Sequence, residues 1–169
     1  MIVRNIKLSA KLEGVTSLNT VSDTLKIKDV KHKQYPSYIT FYNKYNYILF
    51  TKSKNNKNHI NITRLTNVDQ ISDALDILQQ LLSCNIVQHA IDNITAMHDM
   101  QMEINLDHLI CNKTFPSYRY NPERFPGMFV KEENGSLIIF HSGKLVLLGC
   151  RSIAQVWILL ENALMKLNY

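Results

Sequence analysis

The chain has 169 residues, 46% of them hydrophobic and 20% charged, a balance that folds around a core and excludes disorder and collagen-like repetition. No apolar run approaches the roughly 20 residues needed to span a bilayer, and the first ten residues alternate where a signal peptide would run apolar, so neither secretion nor a membrane partner is expected. The net charge of +5 is uneven: residues 1–64 hold twelve Lys/Arg against three Asp/Glu, and residues 65–169 hold seven against eleven. A basic first third and an acidic remainder predict a polyanion on one surface and a different partner on another.

Residues 2–12 alternate strictly, with Ile6, Leu8 and Ala10 on one face and Asn5, Lys7 and Ser9 on the other, which predicts a strand packed on one side only. A short helix is expected over 15–25. YPSYITFYNKYNYILF predicts two strands with a turn near Asn43-Lys44, KSKNNKN a basic loop, and HINITRL a further strand. From Val68 to Leu82, Ile71, Ala74, Leu75, Leu78 and Leu82 recur at helical spacing, leaving Asp69, Asp73 and Asp76 on the exposed side. HAIDNITAMHDMQM then predicts a strand, INLDHLICNK a short helix, and FPSYRY, GMFVKE, SLIIF and KLVLLG four strands around a Pro/Gly turn. Ser152 is placed to cap a last helix carrying Ile153, Val156, Trp157, Leu160 and Leu164. Cys84, Cys111 and Cys150 are too scattered for a disulfide framework and are expected as buried thiols.

The order repeats. Asn5-Ile6 recurs as Asn93-Ile94, Tyr35-Pro36 as Phe125-Pro126, and Ile48-Leu49-Phe50 as Ile138-Ile139-Phe140, at an offset near 90. That periodicity predicts a duplicated unit of strand, short helix, four strands and long helix, divided as 1–86 and 87–169. His98-Asp99 and Asp107-His108 lack a metal-ligand spacing, no nucleophile or phosphate-loop signature is present, and neither an enzyme nor a cofactor is expected. Frequent Asn, Ile and Lys point to an A/T-rich genome, such as that of a large DNA virus or a parasite.

YNPERFPGMFV, followed by LIIFHSGKLVLLG and a helix, resembles the second repeat of the TATA-box-binding protein family. The likeness is clear from about residue 91 onward, and the first half is identified through the internal repeat. It implies an α+β saddle in a diverged member, to which the A/T-rich coding adds the expectation of a viral genome: ten antiparallel strands curved over DNA, with four helices on the convex side. A sheet covered on one face leaves the other to be explained, and exposed apolar groups there mark a binding surface. The minor-groove floor offers few polar distinctions, so an apolar sheet with a few donors suits it.

The resemblance implies residue roles. Phe125 with Phe140, and Tyr35 with Phe50, match the wedges that enter between base steps. Asn5 and Asn93 match the central asparagines that donate to bases. Val146 and Leu148 line the groove surface, and Lys131, Lys144, Ser142 and Arg124 match phosphate contacts. Lys7 and Thr95 stand where the family usually has Val, and Leu148 where it has Thr, which relaxes the expected preference for a TATA element. Glu123 matches a docking position for transcription factor IIB, and Asp69, Asp73 and Asp76 offer a second protein-docking face. The implied function is a promoter-bending initiation factor, monomeric on duplex DNA, that assembles with a transcription factor IIB-like partner and RNA polymerase in a nucleus or viral replication compartment. The alternative is an interaction module that keeps the fold without specific TATA recognition.

Overall fold

A computed structural model of the chain describes residues 1–51 and 58–168, so all but the last residue of the expected basic loop KSKNNKN lies outside the described residues. The elements run β1 (Ile2–Glu13), α1 (Leu18–Ile27), β2 (His32–Gln34), β3 (Tyr38–Asn43), β4 (Tyr45–Phe50), β5 (Asn58–Leu65), α2 (Gln70–Leu82), β6 (Asn85–Asp99), α3 (Leu106–Cys111), β7 (Tyr118–Asn121), β8 (Phe125–Glu132), β9 (Gly135–Phe140), β10 (Lys144–Cys150) and α4 (Ile153–Lys166). They form two compact units. Residues Asn5–Asp92 make the first; Met1–Arg4 and Asn93–Tyr169 make the second.

In the first unit, antiparallel pairing runs β2-β3-β4-β5-β1. Period-two alternation sends Ile6, Leu8, Ala10, Ile39, Phe41, Tyr47, Leu49, Ile60 and Ile62 into the core, all buried. Each Ile, Leu or Phe side chain among them removed from water contributes about 1.5–3 kcal/mol. Helix α1 starts where the Ser17 hydroxyl accepts the Thr20 N–H at 3.1 Å, an N-cap. It packs beside α2, and Lys28 Nζ donates to the carbonyls of Gln80 and Leu81 at 2.6 and 3.0 Å. A cation at the C-terminal carbonyls of α2 suits the helix dipole.

Helix α2 begins at Gln70 and not at Val68, and Asp69 makes no capping hydrogen bond. Gln70 reaches back instead, its Oε1 accepting the N–H groups of Thr66 and Asn67 at 2.8 and 3.2 Å. Asp73 departs from the expected solvated acid. Its Oδ2 accepts from Lys44 Nζ at 2.8 Å and from the Tyr45 hydroxyl at 2.7 Å. The bond from Lys44, then that from Tyr45, lowers the carboxyl pKa, and the Lys44–Asp73 bond raises that of the lysine. The same contact anchors the one-residue hairpin at Lys44, whose φ of 60° is otherwise unfavourable for a side chain with a Cβ.

In the second unit the pairing runs β6-β10-β9-β8-β7, again antiparallel. Ile94, Ala96, Met128, Val130, Leu137, Ile139, Leu145 and Leu147 form its core, and α4 packs on β9 and β10. Ser152 caps α4 as expected, accepting the Gln155 N–H at 3.2 Å, while Gln155 Oε1 accepts the Arg151 N–H at 2.7 Å. This is a near relative of the capping box. The buried stripe of α4 is Val156, Leu159, Leu160 and Ala163; Trp157, expected in the core, is 47% exposed. Cys84 and Cys150 are buried free thiols, but Cys111, at the end of α3, is exposed.

Among the described residues the expected ten strands and four helices are found, and each unit runs strand, helix, four strands, helix. One difference separates the copies. Tyr38 pairs with Phe50 in the first unit, whereas Gly127 pairs with Phe140 in the second. The first copy has one extra residue in YPSY relative to FPG, and its β3–β4 hairpin, pairing Asn43 with Tyr45, is one residue shorter than the hairpin pairing Glu132 with Gly135.

Candidate nucleic-acid interface

Each unit's helices cover one face of its own strands, and the opposite faces carry most of the residues singled out by sequence. On the second unit, cross-strand register builds a row Met97, Val146, Ile138, Phe129, Arg119. Val146 and Ile138 are half-buried, Phe129 is 38% exposed, and the row ends on a cation. The next row holds Leu148, Ser136 and Lys131. An apolar strip bordered by cations can lie against a groove floor that offers few polar distinctions while its edge meets phosphates.

At the end of this face, the rings of Phe125 and Phe140 meet edge to face with centroids 5.7 Å apart. Phe125 is 46% exposed. Gly127 is required here, because a Cβ would come within 2.5 Å of Ile138 Cγ2, 2.7 Å of the Phe125 ring and 3.0 Å of the Phe140 ring. Arg124 lies in the turn before Phe125, and Ser142 and Lys144 follow Phe140; all three are exposed, as is Glu123. Lys144 pairs in register with Asp99.

The first unit builds a different wedge. Tyr35 stacks on Tyr38 at 4.4 Å, and Tyr38 lies 5.5 Å from Phe50. Tyr35 and Phe50 were expected to pair directly; Tyr38 is the ring between them. Lys33 Nζ sits 5.1 Å over the Tyr35 ring, a cation–π contact. Tyr38 escaped sequence reasoning because the extra residue and the shorter hairpin cancel, which keeps the offset at 90 for both Tyr35 and Phe50. Comparing turn lengths, YPSY against FPG, would have found it.

Asn5 and Asn93 share one geometry. Asn5 Oδ1 accepts the Arg64 N–H at 2.8 Å, and Asn93 Oδ1 accepts the Gly149 N–H at 2.7 Å. Arg64 and Gly149 both have positive φ, 72° and 83°, and both lie where the strand register slips by a β-bulge. Engaging the oxygen fixes the amide orientation, so each side chain presents its nitrogen as the remaining donor. Asn93 Nδ2 spends one hydrogen on Thr95 Oγ1 at 3.2 Å and retains the other. Lys7 is not a free cation: its Nζ lies 3.4 Å from Asp92 Oδ2, and Asp92 also accepts from Ser9 Oγ at 2.8 Å. Asp92 was not anticipated. Of the three acids expected on α2, Asp69 and Asp76 are exposed and Asp73 is engaged with Lys44 and Tyr45. His98, on β6, is half-buried with Nδ1 unpartnered among the described residues, and burial lowers its pKa.

Comparisons with known proteins bear on this arrangement. Residues 88–169 match the family model described as "Transcription factor TFIID (or TATA-binding protein, TBP)". The TATA-box-binding protein of Thermococcus celer is 39% identical over 83 residues, covering 48% of this chain and 41% of that protein. That of Pyrococcus abyssi is 36% identical over 91 residues, covering 52% and 44%. The matched stretch thus spans about two fifths of the length of these relatives. The solved structure of Methanococcus jannaschii TBP superposes with a TM-score of 0.80 over 99% of this chain and 97% of that one, at 19% identity, a likeness of fold. Residues 88–169 are thus similar in sequence to the TATA-box-binding protein family, and the chain has the fold of Methanococcus jannaschii TBP.

Proposed function

We propose that the chain is a DNA-binding transcription initiation factor, not an enzyme, that seats on duplex promoter DNA from the minor groove and bends it. The observation that carries this reading is the Phe125–Phe140 ring pair at the end of the apolar row Val146, Ile138, Phe129. Apolar side chains inserted at base steps unstack and kink the duplex, behaviour for which TATA-box-binding proteins are the standard example. The second unit supplies the apolar wedge, and Tyr35 stacked on Tyr38 supplies the first unit's. Asn5 and Asn93 donate to the acceptors that A·T pairs show on the groove floor. Lys131, Lys144, Arg124 and Ser142 take phosphates.

Bent DNA is then the platform for assembly. Glu123, exposed in the turn before Phe125, is the docking position for a transcription factor IIB-like partner, and the exposed Asp69 and Asp76 suit a basic initiation factor or polymerase subunit. Asp73 contributes less there, since Lys44 neutralises it. The chain acts as a monomer on DNA, in the nucleus or a viral replication compartment.

A second reading, a protein-interaction module, is favoured by one feature: Asp92 places a carboxylate beside Lys7. Mobility shifts with TATA-containing and scrambled duplexes at several salt concentrations separate the two. The DNA reading expects steep salt dependence and a TATA preference, with Lys144→Ala reducing the log–log salt slope by about 0.9. Absence of duplex binding, or an unchanged slope in folded Lys144→Ala protein, counts against it.

A further inference from the structure

The two units share a backbone plan but differ in the chemistry of the open face. In the first unit the row that matches Met97, Val146, Ile138, Phe129, Arg119 reads Ser9, Asn61, Ile48, Thr40, Lys33. The row that matches Leu148 and Ser136 reads Thr63 and Asn46. Four apolar side chains, Met97, Val146, Phe129 and Leu148, are thus replaced by Ser9, Asn61, Thr40 and Thr63. Thr40 is also far smaller than Phe129, and the first unit has an open depression of about 440 Å³ bordered by Lys33, Thr40, Tyr42, Asn46, Ile48 and Thr63. The Asn61 side chain is held by His59, whose Nε2 lies 3.0 Å from Asn61 Oδ1.

This difference bears on base identity. On the minor-groove floor a G·C pair differs from A·T by the guanine N2 amine, a donor that protrudes into the groove. Against Val146, Phe129 and Leu148 that amine would lose its water partners and gain none, and a buried donor left unpaired is penalised. Against the first unit it meets carbonyl and hydroxyl oxygens. Asn46 Oδ1 and Thr63 Oγ1 can accept, and Asn61 Oδ1 keeps a second lone pair after His59. The depression provides room for the amine's bulk.

We infer that the first unit accepts G·C pairs in the half of the DNA site it covers, through Asn46, Asn61 and Thr63, whereas the second unit requires A·T. This rests on the minor-groove reading above. The test uses the full chain and duplexes in which single A·T pairs in either half are replaced by G·C or by inosine·C, which lacks the N2 amine. Cleavage from an iron chelate tethered to Cys111, the exposed thiol of the second unit, reports which half lies under which unit. Under the second unit, each G·C pair should weaken binding roughly 5- to 150-fold, and inosine·C should restore it. Under the first unit, G·C should cost less than about 3-fold, below that range. Asn46→Val with Asn61→Val should raise the first-unit cost to that of the second. The reciprocal pair, Val146→Asn with Leu148→Thr, should lower the second-unit cost, which keeps the test valid if the first variant misfolds. Equal G·C penalties in the two halves, with inosine·C restoring both, overturn the inference and leave the minor-groove reading standing. G·C and inosine·C behaving alike in both halves, or no duplex binding, overturns that reading and the inference with it.

Discussion

Replacing Asn93 with Asp or with Ala separates what the side chain does for the fold from what it does for DNA. Its Oδ1 accepts the Gly149 N–H at 2.7 Å, and its Nδ2 donates to Thr95 Oγ1 at 3.2 Å. Aspartate keeps an acceptor for Gly149, now charge-assisted, and the Thr95 hydroxyl can turn to donate to it. Alanine keeps neither contact. On stability, Asn93→Asp should therefore match the parent within about 0.5 kcal/mol, and Asn93→Ala should cost about 1 kcal/mol. In a chain of this size that cost lowers Tm by roughly 2–4 °C. DNA binding should invert the order. Alanine forfeits one donor, about 1 kcal/mol or several-fold in affinity. Aspartate sets an anion against base acceptors in a groove stripped of water, at least about 3 kcal/mol or more than 100-fold. Fluorescence anisotropy on a labelled duplex, beside thermal denaturation, reads both. The same crossing is expected at Asn5, whose Oδ1 takes the Arg64 N–H. Asp variants that bind DNA no worse than Ala variants would refute the assignment of these amides as base donors.

Two further outcomes follow from local geometry. Gly127→Ala puts a methyl within 3.0 Å of both wedge rings and Ile138; overpacking of this kind costs about 1–3 kcal/mol, so Tm should fall by several degrees, and an unchanged Tm would show that the rings are loosely held. For Asp73, the hydrogen bond from Lys44, then that from Tyr45, lowers the carboxyl pKa, so its stabilising contribution is complete above its unfolded value of 3.8 and is lost as pH falls through the folded value; for Lys44 the shift is upward, and the contribution is complete below 10.5 and lost as pH rises through the folded value. Denaturant titrations should show that Asp73→Asn flattens both limbs, and an acid limb identical to the parent's would contradict the pairing.

Much of the fold was legible because both units obey simple periodicities. Strand β1 buries Ile6, Leu8 and Ala10 as its alternation requires, and Ser152 caps α4 through its hydroxyl. What escaped did so for physical reasons. Strand β2 is three polar residues, HKQ, and exists only through pairing with β3. Helix α4 is apolar around much of its circumference, so several stripes fit the same residues and Trp157 fell on the wrong one. The role of Asp73 depends on a lysine 29 positions away, a contact that no local pattern encodes. The wedge positions were visible as landmarks of the repeat, but Tyr38 was hidden by compensating changes in two turns. The bulges that engage Asn5 and Asn93 depend on Arg64 and Gly149, one with a side chain and one without, so residue type gave no common signal.

The most direct test of the central claim is the end-to-end distance of a short TATA-containing duplex, measured by energy transfer between labels at its ends. Binding of the parent chain should shorten that distance, and Phe125→Ala with Phe140→Ala, still folded, should bind with a longer one. A parent complex whose labels stay as far apart as on free DNA would contradict minor-groove wedging and bending outright.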